Sequence, residues 1–303
     1  MTSRLNRRIV VGLLLVALTG IIFLMIRDKL PSFGSLHVPG YGSSAPKKAA
    51  PKAVVPNKSG STGSDLGLDS SQAVASGNRN QPVIALTFTS NLTKFMQKQV
   101  QSDPKVSYNN MAVLDVLDQS KVPATFFLSG LWAQQYKETA ARIAANPRFE
   151  VASHSYANAA FVPKCYTLPD LPKDQKVSDI TSGASVIAKL KPVHLTNFFS
   201  FPGGCYDDAA LQAAKKAGVQ VVQNDVIGGD AGQPNADAIV RKVMRETRNG
   251  SIVTFNTAED NAPQTAVALR SIVNNLCTTK FKCVRLSELL ALGRVTYAAS
   301  PSP

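Results

Sequence analysis

Thr89, Ser90 and Asn91 follow the apolar run Val83–Phe88 and offer two hydroxyls and an amide, with no charge. Such a hydroxyl does not deprotonate near pH 7, so it hydrogen-bonds rather than acting as a base. His154 stands without a second histidine nearby, and a lone histidine serves more often as a hydrogen-bonded structural group than as a ligand. His194, in a loop beside Pro192, reads as solvated, and Trp132, at a helix start, reads as core. Asp230, after Gly228–Gly229, suits a turn as well as a site. Cys205 could be a nucleophile, but no nearby base is indicated and a disulfide is the stronger reading. Neutral hydroxyls and amides beside aromatic rings suit a sugar pocket better than proton transfer.

The elements that must position these groups alternate. Strand candidates are Val83–Phe88, Ala124–Leu128, Phe149–Ser153, Asn197–Phe201, Val219–Gln223, Gly250–Phe255 and Phe281–Leu286. Helical stretches at Asn110–Gln119, Leu131–Ala145, Asp207–Ala217, Ala236–Arg248 and Ala262–Leu276 lie between them. Repeated β-then-α units imply a parallel sheet. Their number favours a closed barrel over an open sheet, with the chemistry at the carboxyl ends of the strands. The fold class expected is α/β, a distorted (β/α) barrel of seven to eight parallel strands.

Ile9–Ile26 is uninterrupted by charge, near the lower length for a membrane-spanning helix and longer than the usual core of a cleaved signal peptide. Arg4, Arg7 and Arg8 precede it, which places the N-terminus in the cytoplasm. The expected organisation is a cytoplasmic N-terminus and signal-anchor helix in 1–30, a disordered linker rich in Pro, Ala, Ser, Gly and Lys in 31–80, a folded domain in 81–295 and a flexible tail in 296–303. The expected product is a single-pass membrane protein with its C-terminal domain periplasmic or extracellular. Of the net charge of +13, residues 1–80 carry +7, from ten basic and three acidic residues. The folded part is thus only mildly basic, with no basic stripe interleaved with aromatics, so no nucleic acid partner is expected. Four cysteines in an exported domain suit disulfides. Sequence alone leaves their connectivity open; Cys277–Cys283 around a short turn and Cys165–Cys205 between two loops are the pairings expected. No pair has the C-x-x-C spacing of a zinc site.

The strand ends, taken in order, carry ATFF at Ala124–Phe127, EVASHS at Glu150–Ser155, FPGG at Phe201–Gly204 and CVRLSELL at Cys283–Leu290. From about Gln81 to Leu292 this order and spacing resembles the NodB-homology polysaccharide deacetylases, carbohydrate esterase family 4. The resemblance implies a distorted (β/α) barrel that removes N- or O-acetyl groups from chitin, peptidoglycan and related glycans with a divalent metal.

The departures from the family pattern fall on that chemistry. Thr89 and Ser90 stand where the family has two aspartates, a general base and a metal ligand. His154 is kept, but Asn158 replaces the second histidine of H-[ST]-x-x-H. The i, i+4 spacing suits two ligands on one helical face, yet an amide oxygen is a poor zinc partner beside imidazole. Ser200 replaces the arginine that holds the base, and Asn256 replaces the late general-acid histidine, which Asp230 would orient. The degenerate catalytic positions are therefore Thr89, Ser200, Asp230 and Asn256; the degenerate metal positions are Ser90, His154 and Asn158. The wall of a sugar pocket is expected from Phe88, Tyr156, Phe201, Pro202 and Gly203. Base, partner, ligands and acid are all replaced by neutral groups, as in a remodelled pocket; random loss would strand an unpaired buried charge. The expected function is a membrane-anchored, catalytically inactive relative that binds a cell-envelope polysaccharide such as peptidoglycan, or a partner protein, with no cofactor. One alternative is an active metal-dependent deacetylase with an atypical site, then using zinc; another is a structural scaffold of the envelope.

Overall fold

The structure is a computed structural model that describes residues 65–299. The expected span Ile9–Ile26, the first part of the linker and residues 300–303 lie outside the described residues. Among the described residues no helix is long and apolar enough to cross a membrane.

Strands β1 (Val74–Ser76), β2 (Val83–Ser90), β3 (Ala124–Leu128), β4 (Phe149–Ser153), β5 (Leu195–Phe199), β6 (Gln220–Val221), β7 (Val226–Ile227), β8 (Ile252–Asn256), β9 (Lys282–Val284) and β10 (Thr296–Tyr297) are joined by nine helices among the described residues. These are α1 (Lys94–Ser102), α2 (Met111–Ser120), α3 (Gly130–Gln135), α4 (Lys137–Ala145), α5 (Lys176–Lys189), α6 (Asp208–Lys216), α7 (Ala236–Glu246), α8 (Thr265–Ile272) and α9 (Leu286–Leu290). The main sheet is parallel throughout, in the order β6-β5-β4-β3-β2-β8-β7, with β9 added beside the first half of β2. It curls but does not close, because β6 and β7 do not pair. This corrects the expected closed barrel. The seam between them is bridged from outside. Val74 pairs with Val222 on the free edge of β6, and Arg79 reaches Asp225 at 2.8 Å.

Period-2 alternation explains the two sides of the sheet. Ile84, Leu86 and Phe88 of β2 pack with Phe126, Phe149, Val253 and Phe255 in the large cluster shared with helices α2, α3, α4 and α8. Ala85 faces the other way, with Phe127, Ala152, Phe198 and Ile252, over Leu286, Leu289 and Leu290 of α9. The sheet is thus buried on both faces, as parallel strands require.

The domain boundaries shift at both ends. Residues 65–80, read as linker, already belong to the fold: β1 pairs antiparallel with β10, and Ala73, Val74 and Ser76 are buried. The same pairing brings Thr296 and Tyr297, read as tail, into a strand. The stretch Leu131–Ala145 is two helices, because Tyr136 (φ −111°, ψ 58°) breaks it. Both disulfides form as expected, Cys165–Cys205 and Cys277–Cys283.

Candidate functional site

The carboxyl ends of β2 and β8 lie side by side, with Thr89 and Asn256 as register partners. Thr89 Oγ1 is 3.1 Å from Asn256 Oδ1 and 3.3 Å from the Phe255 carbonyl, and shares its proton between them. Asn256 spends its remaining groups on Asp230. Its Nδ2 donates to Oδ1 at 2.9 Å and its backbone N–H to Oδ2 at 2.7 Å. The Thr265 hydroxyl, at the start of α8, donates to the same Asp230 Oδ2 at 2.7 Å. Asp230 is fully buried, and it joins two strand ends to a helix start. Ser90, also fully buried, is 2.6 Å from the Thr257 hydroxyl.

On the other side, the ends of β4 and β5 bring His154 and Ser200 together, with Nδ1 of the ring 2.6 Å from the serine hydroxyl. Burial depresses the imidazole to a pKa of about 4, and hydrogen bonding at Ser200 offsets this in part. The ring is therefore neutral at pH 7. His154 to Asn158 is not a helical turn, which corrects the expectation of two ligands on one helical face. Ser155 (φ 66°) and Asn158 (φ 48°) are both left-handed, so the chain doubles back tightly. Asn158 Nδ2 reaches across to Asn91 Oδ1 at 3.0 Å and ties the β4 loop to the end of β2.

The β4 loop is held from below by α5. Asp179 accepts from the backbone N–H groups of Tyr156 (3.0 Å) and Ala157 (3.3 Å), and the Ser155 hydroxyl bonds to it too. Burial pushes this carboxyl up, and those donors pull it back. Gly183 of α5 allows the approach, because a Cβ there would lie 2.4 Å from the Ser155 carbonyl. At the end of β3, Ser129 caps α3 by accepting from Trp132 N–H (3.3 Å) and also accepts from Leu92 N–H (3.1 Å). Trp132 is core, as expected, and its indole donates to the Tyr108 carbonyl at 2.7 Å. His194 is bonded by Nε2 to the Pro147 carbonyl at 3.0 Å and is partly exposed.

The structure therefore sets the seven degenerate positions at or just after strand ends, in three bonded groups: Thr89, Ser90, Asp230 and Asn256; His154 with Ser200; and Asn158 with Asn91. It also adds three residues that sequence reasoning missed: Asp179, Thr257 and Thr265. Thr257 adjoins Asn256, and that adjacency was the available signal; Asp179 and Thr265 gave none.

The expected pocket wall is corrected. Phe88 lies in the core between Phe126 (ring centroids 5.3 Å) and Phe255 (5.7 Å) and has no exposed surface. Phe201 and Pro202 are buried as well; Phe201 packs edge-on against Phe161 and Phe199 and stacks on Tyr206. Tyr156 and Gly203 alone of the five keep solvent contact. The cause is the sheet's double cover, under which an apolar strand residue gives no sign of which face it takes.

A family metal would need anionic or imidazole donors aimed at one point. Here the three positions hold one neutral imidazole, one hydroxyl and one amide, each already bonded within the chain, to Ser200, Thr257 and Asn91. Among the described residues no three His, Cys, Asp or Glu side chains gather as a metal-holding group. This donor set does not fit a divalent cation. What it supports chemically is hydrogen bonding without proton transfer, since Thr89 and Asn256 carry no group that titrates near neutrality.

Comparison with known proteins agrees with the fold. Residues 76–222 match the family model described as polysaccharide deacetylase. The chain is 28% identical over 220 residues to a peptidoglycan-N-acetylglucosamine deacetylase of Bacillus cereus, covering 70% of this chain and 89% of that protein. It is 31% identical over 147 residues to a chitooligosaccharide deacetylase of a Bradyrhizobium species, covering 48% and 62%. Among solved structures it resembles a CE4 family pseudoenzyme of Bacillus anthracis, with TM-score 0.57, 22% identity, and coverage of 72% of this chain and 68% of that one. It also resembles a family 4 carbohydrate esterase of Bacillus subtilis, with TM-score 0.57, 21% identity, and coverage of 73% and 85%. The motifs of Ala124–Phe127, Glu150–Ser155 and Phe201–Gly204 all fall within the segment that matches the polysaccharide deacetylase model.

Proposed function

We propose that this chain is a membrane-anchored, extracytoplasmic member of the family that binds an envelope glycan and does not deacetylate it. One observation carries the reading. Every position at which the family places a charged or titrating group, other than His154 and Asp230, holds a neutral group whose hydrogen bonds are made inside the chain. The two exceptions are recruited to the same bonding, His154 to Ser200 and Asp230 to Asn256 and Thr265. Relatives named as deacetylases support the alternative, an active enzyme with an atypical site.

Restoration separates the two. Thr89→Asp, Ser90→Asp and Asn158→His together should give stoichiometric zinc binding in the full-length chain, with little acetate release. Adding Ser200→Arg and Asn256→His should raise turnover by about 10²-fold or more, the usual scale of general acid–base help. Restored variants that bind zinc yet remain no faster than the parent chain would contradict this assignment of roles. The anchor rests on Ile9–Ile26 and the arginines before it. A C-terminal alkaline phosphatase fusion should be active; an inactive one, with a fluorescent cytoplasmic reporter at the same point, would refute the topology.

A further inference from the structure

The seam of the open sheet carries a groove of about 800 Å³ whose lining includes none of the degenerate positions. Its walls come from segments far apart in sequence: the loop after β4, the loop after β5, the end of β6 and the tip of β7. Two side chains stand out for being apolar and in solvent. Tyr166 is 79% exposed and Ile227 is 59% exposed.

Tyr166 is held out rather than left loose. It has left-handed backbone (φ 53°), as does Lys164 (φ 61°), and the residue between them is tied to Cys205 by a disulfide. Gly203 lies under this loop, where a Cβ would come within 2.5 Å of Cys165 Sγ and 3.2 Å of the Tyr166 ring. Pinned backbone that presents an exposed aromatic is costly to stability and is found where a surface binds something. Tyr206, stacked on Phe201 at 5.4 Å, gives the groove a second ring. Gln223 and Asn224 supply amides at the end of β6.

The charge and edges of the groove narrow its occupant. Its charged side chains are Lys164, Asp207 and Asp208, an acidic excess that disfavours a phosphate or carboxylate polymer. Strand addition is blocked at β6, because Val74 already pairs there and accepts from Gln223 N–H at 2.7 Å. Rings for an apolar sugar face, with amides and carboxylates for its hydroxyls, match a neutral pyranose chain. We infer that the seam groove, with Tyr166 as its stacking platform, is where this protein binds a neutral N-acetylhexosamine or hexose glycan. The inference rests on the glycan-binding reading above and moves the binding away from the degenerate centre.

The test is titration of the full-length chain, in detergent, with N-acetylglucosamine pentamer, beside co-sedimentation with insoluble chitin, a neutral polymer of the same unit. Tyr166→Ala should weaken binding about tenfold or more, and Tyr166→Phe should restore it to within about threefold, since the ring face carries the contact. Ile227→Asp, on the opposite wall, should weaken it independently. Both side chains are exposed, so neither variant opens a core cavity. If Tyr156→Ala and Asn158→Ala abolish binding while Tyr166→Ala and Ile227→Asp leave it intact, glycan binding stands and the seam is the wrong place. If the parent chain binds neither probe, the glycan reading falls and the seam assignment with it.

Discussion

Asp230→Ala should destabilise the domain by about 3 kcal/mol, because it leaves several buried hydrogen-bond donors without their acceptor. The carboxylate is fully buried and accepts three hydrogen bonds, from Asn256 N–H, Asn256 Nδ2 and Thr265 Oγ1, at 2.7–2.9 Å. Truncation leaves those donors without an acceptor, and each unsatisfied buried group costs about 1–3 kcal/mol. Asp230→Asn should cost less, because it keeps one acceptor and the Thr265 hydroxyl can turn to accept. In the family pattern this aspartate orients a general acid, and losing it would chiefly affect rate. Here it orients an asparagine and a helix start, so the effect should appear in urea unfolding midpoints. A midpoint shift worth less than about 1 kcal/mol for Asp230→Ala would show that the cluster does not contribute as its geometry implies.

The second large effect is a pH dependence centred on His154. Burial holds its folded-state pKa near 4, against about 6.5 for a histidine in the unfolded chain. Between these values the unfolded state binds a proton that the folded state does not. Stability from this group is therefore complete above about pH 6.5 and falls as pH drops toward 4, by about 3 kcal/mol in all. Burial pushes Glu150 and Asp179 the other way, so they favour the folded state on acidification and partly mask the trend. Comparison with His154→Gln removes the masking. The amide stays neutral and can still bond to Ser200, so both proteins share every other titration. The parent chain should lose about 3 kcal/mol more than the variant between pH 7 and pH 4. Parallel stability curves would mean that His154 titrates alike in the folded and unfolded states, as a solvated imidazole does.

Much of the frame was legible because buried parallel strands announce themselves. Ala124–Leu128 and Phe149–Ser153 are uninterrupted buried runs, and both occupy the expected positions. The elements that escaped notice lack that signal. Helix α1 fully buries no residue, and only Met96 and Val100 lean on the core, too short a stripe to mark it. Strands β1 and β10 are three and two residues long, too short to show an alternating pattern. Helix α5 carries serines, threonine and Gly183, a composition that reads as loop until the Ser155 carbonyl is seen packed against it.

At the site, the identities of the replaced groups followed from the resemblance to the family's motifs. Their partners were not, since Ser90 meets Thr257 and Thr89 meets Asn256 across 167 residues. Nor could sequence show that Phe88 turns toward the helices and Tyr166 toward solvent. Phe88, expected in a pocket wall, is core, and Tyr166, which carried no expectation, is the exposed ring.

The most direct measurement is zinc content of the purified full-length chain together with acetate release from acetylated chito-oligosaccharide, with and without chelator. The neutral, internally bonded site should leave zinc well below one per chain and acetate release at the background rate, unchanged by chelation. Stoichiometric zinc with acetate release that chelation abolishes would contradict the non-catalytic assignment and make the atypical active deacetylase the correct reading.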